Sequence, residues 1–283
     1  MVSFNRRVSR SLLPPVPSES ARPARNTLPA VPVRDFRRLL DAALNERDAQ
    51  GRKWADARWG CYAFFDYDGE PIYVGQTNER LRVRVRRHLT NQRTDAVAMR
   101  ILDIFEVAEM ELWPLWDFEP ITKRRDPEGF RRAQEILDRI EYTAYRAAID
   151  ASKFEAILNE KIPPVSPAIA LPPSRRFQLI SQETRNERGH PDVRIARRAE
   201  TISRLAAVAH ERGEVSDGLR RVLVIQAVRL AYISAVRLAY VEGRPEPPMV
   251  IDVAGLVGSV LAEPSDPLGL TDLDEMEDVE DGA

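Results

Sequence analysis

The sequence predicts an α/β chain of the α+β kind: a small, mainly antiparallel three-stranded sheet flanked by helices, followed by an α-helical module. Three observations carry that prediction. Two β-rich runs, 61–65 and 71–74, flank a turn containing Asp68-Gly69, the pattern of a hairpin. Directly afterwards Leu81, Val85 and Leu89 recur every fourth residue, so a helix follows with one buried stripe. Beyond a proline-rich stretch at 163–173, long helical patterns occupy 192–212 and 216–242.

Taken in order, residues 1–33 form a basic terminus rich in Pro and Arg, a composition that buries too little apolar surface to order itself. A helix is expected over 34–52, where Phe36, Leu39, Leu40 and Leu44 share helical spacing. The hairpin and its following helix (78–92) come next, then a short helix near 96–105 and a strand at 109–116. Residues 117–128 carry Pro120, Pro127 and many charges, and read as a loop. A long helix over 127–153 turns Ile136, Leu137, Ile140, Ala144, Tyr145 and Ala148 inward. The first domain, 34–162, then closes at Ile157-Leu158-Asn159, and 163–182 reads as a linker. In the module at 183–262 the two helices join at Gly213, with Ser216 or Asp217 as the second cap. The second is apolar over much of its circumference, so a partner protein or a second copy of the chain is the expected cover. A weak strand-plus-helix piece at 249–262 precedes an acidic tail, 263–283, with nine acids and no base.

The net charge of −2 over 283 residues offers no global attraction for nucleic acid, although residues 1–34 hold six arginines against one acid. A single cysteine, Cys61, removes intrachain disulfides and thiolate zinc sites. No secretory signal and no uncharged apolar run of membrane length stands out, so a cytoplasmic protein without a membrane partner is expected.

Chemistry concentrates in a few side chains. Tyr62 and Tyr73 sit on the two hairpin strands, eleven residues apart, and one register places them on one face. Arg84 and His88 are neighbours on the next helix, beside its buried stripe. Two cation-capable groups side by side add nothing to helix stability, and an anionic ligand explains them; neutralisation by Glu79 or Glu106 is the plainer account. A guanidinium at a core edge clasps phosphate oxygens in a fork. Glu141 shares a stripe with Leu137 and Tyr145, so it must find a partner, stay protonated or bind a metal. A salt bridge to an arginine is the structural alternative, whereas Mg²⁺ suits a single carboxylate plus substrate phosphate.

In this order, Gly60-Cys61-Tyr62, Tyr73-Val74-Gly75, Arg84, His88, Glu141 and Asn159 resemble the signature of the GIY-YIG nuclease superfamily over residues 58–162. Cys61 stands for isoleucine in the first motif and Val74 for isoleucine in the second. The loop between Gly75 and Arg84 is a residue longer than in the family, so Arg82 competes for the arginine role, and 117–132 looks inserted. The resemblance implies a metal-dependent endonuclease that hydrolyses DNA phosphodiester bonds by in-line water attack, serving repair, restriction or defence. It implies Tyr62 as general base or relay, His88 as proton acceptor or orienter, and Arg84 on the phosphate. Glu141 would hold Mg²⁺ or Mn²⁺, Tyr73 would position phosphate or water, and Asn159 would brace the site. Gly75, Gln76, Arg82, Arg86 and Arg87 are the residues expected to touch the DNA. The alternative is a non-catalytic nucleic-acid-binding or adaptor protein on the same scaffold. The module at 183–262 is expected to support a homodimer or to dock a protein partner.

Overall fold

The computed structural model describes residues 30–90, 103–213 and 215–263. The first helix, α1 (Val31–Asn45), buries Phe36, Leu40, Ala43 and Leu44. It stops seven residues before the expected end. The carboxylate of Asp48 accepts the N–H groups of Gln50 and Arg52 at 3.0 and 2.8 Å, and Gly51 takes φ 79°. Such an Asx-type turn competes with helix propagation, and Arg47 bridges Lys53 instead.

Strands β1 (Gly60–Phe65) and β2 (Pro71–Thr77) form the expected hairpin, with Tyr62 opposite Gly75 and Phe64 opposite Tyr73. Every β1 residue is buried. Strand β3 (Glu109–Pro114) pairs antiparallel with β1. The sheet has four strands, not three: β4 (Arg175–Gln178) pairs with β3, giving the order β2-β1-β3-β4. The fourth strand lies inside the stretch read as a linker. Only Phe177 of its four residues is buried, so an edge strand this short leaves no alternation to read.

Helix α2 (Leu81–Thr90) buries Leu81, Val85 and Leu89 as expected. Most of the helix expected at 96–105 lies outside the described residues; its end, Ile104–Glu106, is one 3₁₀ turn capped by Asp103. The loop that follows contains another such turn, Trp116–Phe118. Helix α3 (Pro127–Ala151) starts where Asp126 accepts the N–H of Gly129 at 2.8 Å, with Pro127 in its first turn. After it the chain returns along the outer edge of β2. Leu158 N–H donates to the Ile72 carbonyl, and the Asn159 amide accepts from and donates to the Val74 backbone at 3.0 and 2.7 Å.

The remaining helices are α4 (Gln182–Arg188), α5 (Pro191–Arg212), α6 (Asp217–Val241) and the five-residue α7 (Val253–Val257). Gly213 (φ 69°) ends α5, and the Ser216 hydroxyl caps α6 by accepting from Leu219 N–H at 3.1 Å. No strand forms among 249–262. By length and composition α6 could cross a membrane, but its charges are tied to protein. Arg229 is 1% exposed beside Asp66 and Glu70, and Arg237 pairs with Asp192 at 2.8 Å. The first half of α6 is covered by the chain itself: Leu219, Val222, Ile225 and Val228 join the same buried cluster as the sheet. Near its end Leu238, Tyr240 and Val241 stay exposed.

Candidate active site

The register of the hairpin decides where the site sits. Tyr62, Phe64, Tyr73 and Gly75 fall on one face because cross-strand partners point the same way. The Tyr62 and Tyr73 rings lie 6.2 Å apart, nearly parallel. Gly75 is what lets Tyr62 lie down there, since a Cβ at that position would come within 2.6 Å of the Tyr62 hydroxyl. Any larger residue would displace the phenol. Gly75, expected at the DNA, is thus buried beneath Tyr62.

Helix α2 covers this face and brings two groups to the phenol. The Tyr62 hydroxyl and His88 Nε2 are hydrogen-bonded at 2.8 Å, and Arg84 Nε donates to the same hydroxyl oxygen at 3.4 Å. Arg84 fills one lone pair of that oxygen, and the imidazole tautomer decides whether the phenol donates to Nε2 or accepts from it. The Tyr73 ring is 5.5 Å from the imidazole. Arg84, not Arg82, takes the arginine position: Arg82 turns away to Asp56 and the Leu44 carbonyl. Arg86 pairs with Asp41; Glu79 and Glu106, the acids expected to neutralise Arg84 and His88, instead form their ion pairs with Arg87 and with Arg194 and Arg198. Arg84 is therefore the arginine of α2 with no carboxylate within 4 Å among the described residues.

The carboxylate arrives from elsewhere. Val74 turns its backbone N–H and carbonyl outward to Asn159, so Gln76, two residues on, also turns its N–H to the open edge of β2. Glu141 on α3 accepts from that N–H and from the Gln76 side chain. It therefore sits at the open edge of β2, reached by the Gln76 side chain from the face shared with Cys61, and within electrostatic reach of Cys61, Tyr62, Tyr73 and Arg84. Asn159 fixes the strand one residue from Tyr73, a double hydrogen bond contributing roughly 1–3 kcal/mol.

Burial perturbs every titratable member. It pushes the Tyr62 phenol well above its ordinary range, with Tyr73 adding to the rise and Arg84 opposing it, and it raises Tyr73 as well. His88 falls to about 4 through burial and the nearby Arg84 and Arg87 charges. Glu141 rises to about 8, first from burial and then from the charge of Asp138. No ion pair reaches Glu141 among the described residues, so the salt-bridge alternative does not describe it. The sequence reading overlooked Asp138 and Gln134. Gln76 Nε2 donates to Asp138 Oδ1 at 2.8 Å, and Gln134 Nε2 donates to the same oxygen at 2.8 Å. Their only prior signal was position: Asp138 precedes Glu141 by three on one helix, hence on the same face.

No group of three or more His, Cys, Asp or Glu among the described residues could hold a metal on its own. Comparison of the chain with family models, curated proteins and solved structures gives no match.

Proposed function

We propose that this chain is a divalent-metal-dependent endonuclease that hydrolyses DNA phosphodiester bonds, the activity implied by its resemblance to the GIY-YIG nucleases. The observation that carries the reading is the convergence on one hydroxyl: Tyr62 bonded to His88, with Arg84 at the same oxygen and Glu141 at the adjoining strand edge.

The electrostatics favour a relay over a phenolate. Burial keeps the Tyr62 proton on, while His88, held near 4, is a neutral acceptor across the physiological range. A water attacking phosphorus passes its proton to the Tyr62 oxygen as the phenolic proton moves to His88 Nε2. The water oxygen forms the new P–O bond, and the leaving oxygen takes the electron pair of the broken P–O bond and is protonated from solvent. Arg84, free of carboxylates, donates to the non-bridging oxygens as their charge grows, and removing such a donor typically costs 10²–10³-fold in rate. Tyr73, half-buried with its ring 6.2 Å from that of Tyr62, orients the phosphate.

The donor set suits a hard cation. Glu141 is a buried carboxylate with no cationic group within 4 Å among the described residues and with the Asp138 carboxylate one turn earlier, which fits Mg²⁺ or Mn²⁺. When bound, the ion supplies charge neutralisation at the leaving oxygen.

The test is cleavage of plasmid, nicked and flap DNA with Mg²⁺. Cleavage should vanish with EDTA and in Glu141→Ala, and fall about 10²–10³-fold in Arg84→Ala. Tight DNA binding by the wild type without cleavage of any substrate would replace this reading with the non-catalytic one.

A further inference from the structure

Four acidic side chains are buried among the described residues: Asp66, Glu70, Glu106 and Glu141. The first three each have a guanidinium within 4 Å, from Arg194, Arg198 or Arg229. Glu141 has none. Its acidic neighbour Asp138, one turn earlier on α3, has none either. Between the two stands the Gln76 amide, whose Nε2 donates to Asp138 Oδ1 at 2.8 Å and whose side chain also bonds Glu141. A neutral NH₂ group thus occupies the place between two carboxylates where this chain elsewhere puts an arginine. An amide satisfies the lone pairs but leaves two like charges uncompensated.

We propose that Asp138 is the second acidic member of the cation site: an oxygen-seeking divalent ion binds Glu141 directly, and Asp138 supplies the second negative charge, directly or through a water. This rests on the endonuclease reading for the presence of the ion, and adds a residue to it. Gln134 and Gln76 hold Asp138 Oδ1 from two sides, which presets the carboxylate and leaves Oδ2 for the ion or its hydration shell. Magnesium and manganese keep most of their waters and take one or two protein carboxylates, a demand that Glu141 with Asp138 meets.

The substitution Asp138→Asn separates charge from scaffold, because the asparagine oxygen still accepts from both glutamines. Mn²⁺ binding to the full-length protein is measured by isothermal titration calorimetry at low salt, with thermal unfolding alongside. Asp138→Asn should raise the Mn²⁺ dissociation constant at least tenfold with little change in unfolding temperature, and Glu141→Gln should abolish binding. Glu135→Gln, an exposed acid of the same helix, should leave it unchanged. Equal affinities for wild type and Asp138→Asn overturn this inference while leaving the metal role of Glu141 intact. A wild type that binds no Mn²⁺ overturns both. If Asp138→Asn unfolds, Asp138→Ser decides the matter: it removes the carboxylate, should lower Mn²⁺ affinity at least tenfold in the folded protein, and undiminished affinity there overturns the inference.

Discussion

One hairpin carries two polar clusters, built on opposite rules. At its tip, Asp66 accepts from Arg194 and Arg198 at 2.9 Å each, with Arg229 at 3.7 Å; Glu106 meets Arg194 and Arg198 at 3.4 Å, and Glu70 faces Arg229 at 3.8 Å. Burial alone would raise Asp66, but Arg194, Arg229 and Arg198 hold it below its usual range. This cluster joins α5 and α6 to the β1–β2 turn and closes its charges internally. Further along the same strands, Tyr62, Arg84, His88 and Glu141 leave theirs open. Among the described residues Arg84 has no carboxylate and Glu141 no guanidinium or ammonium within 4 Å, and His88 rests neutral at physiological pH. The closed cluster fixes where elements sit, and the open one keeps uncompensated charge, which on the proposed reading serves a phosphate and an ion.

Substitutions should widen that contrast, beginning with the largest effect. Asp66→Ala leaves three buried guanidinium groups without their shared acceptor and should lower stability by about 3–5 kcal/mol. Urea unfolding reads this directly, and a loss under 1 kcal/mol would mean the cluster does not bind the helices to the turn. Arg84→Ala should do the reverse: cleavage falls about 10²–10³-fold with the urea midpoint nearly unchanged.

Glu141→Gln should stabilise the metal-free protein. The folded pKa of Glu141, about 8, lies above the ordinary 4.5, so the native state binds the extra proton between those values. Stability therefore declines as pH rises from 4.5 to about 8 and levels off above it. The amide removes that decline, a gain of roughly 2–4 kcal/mol at pH 8. Unfolding curves at pH 5 and pH 8 that shift equally for both proteins would contradict it. The same protonation predicts Mn²⁺ affinity rising with pH up to about 8 and flattening beyond.

His88 runs with the opposite sign. Its folded pKa, about 4, lies below the ordinary 6.5, so the unfolded chain binds the proton first as pH falls. Its contribution is intact above pH 6.5 and is lost between 6.5 and about 4, at most ~3 kcal/mol. His88→Asn should flatten that stretch of the stability profile. Smallest of all, Tyr240→Ser at the exposed end of α6 should change stability by no more than about 0.5 kcal/mol. Sedimentation of that variant beside the wild type tests whether this end holds a second copy: a dimeric wild type turned monomer would place the contact there.

Much of this site was legible beforehand because its parts lie on regular elements. The spacing of Leu81, Val85 and Leu89 set which face of α2 is buried, and so where Arg84 and His88 must project. The Asp68-Gly69 turn made the hairpin, and its register then followed. Arg84 was preferred from its place beside the buried stripe of α2, but the elimination of its competitor Arg82 was not legible, because it depends on what packs nearby. Asp56 and the Leu44 carbonyl took Arg82. Asp138 was hidden for a similar reason. Its significance lies in a missing arginine, and absence of a partner is a property of space, not of spacing. Strand β4 escaped notice because one buried phenylalanine among exposed residues gives no period.

By itself the sequence determined the local elements, their buried stripes and the inventory of reactive groups, because periodicity and turn chemistry act over a few residues. Tertiary structure alone decided which charges find partners. Asp66 and Glu141 are both buried carboxylates, yet helices more than a hundred residues downstream bring arginines into contact with the first, and among the described residues none comes within 4 Å of the second. Pairing depends on geometry across the whole chain, and the fate of each buried charge is settled only when distant segments meet.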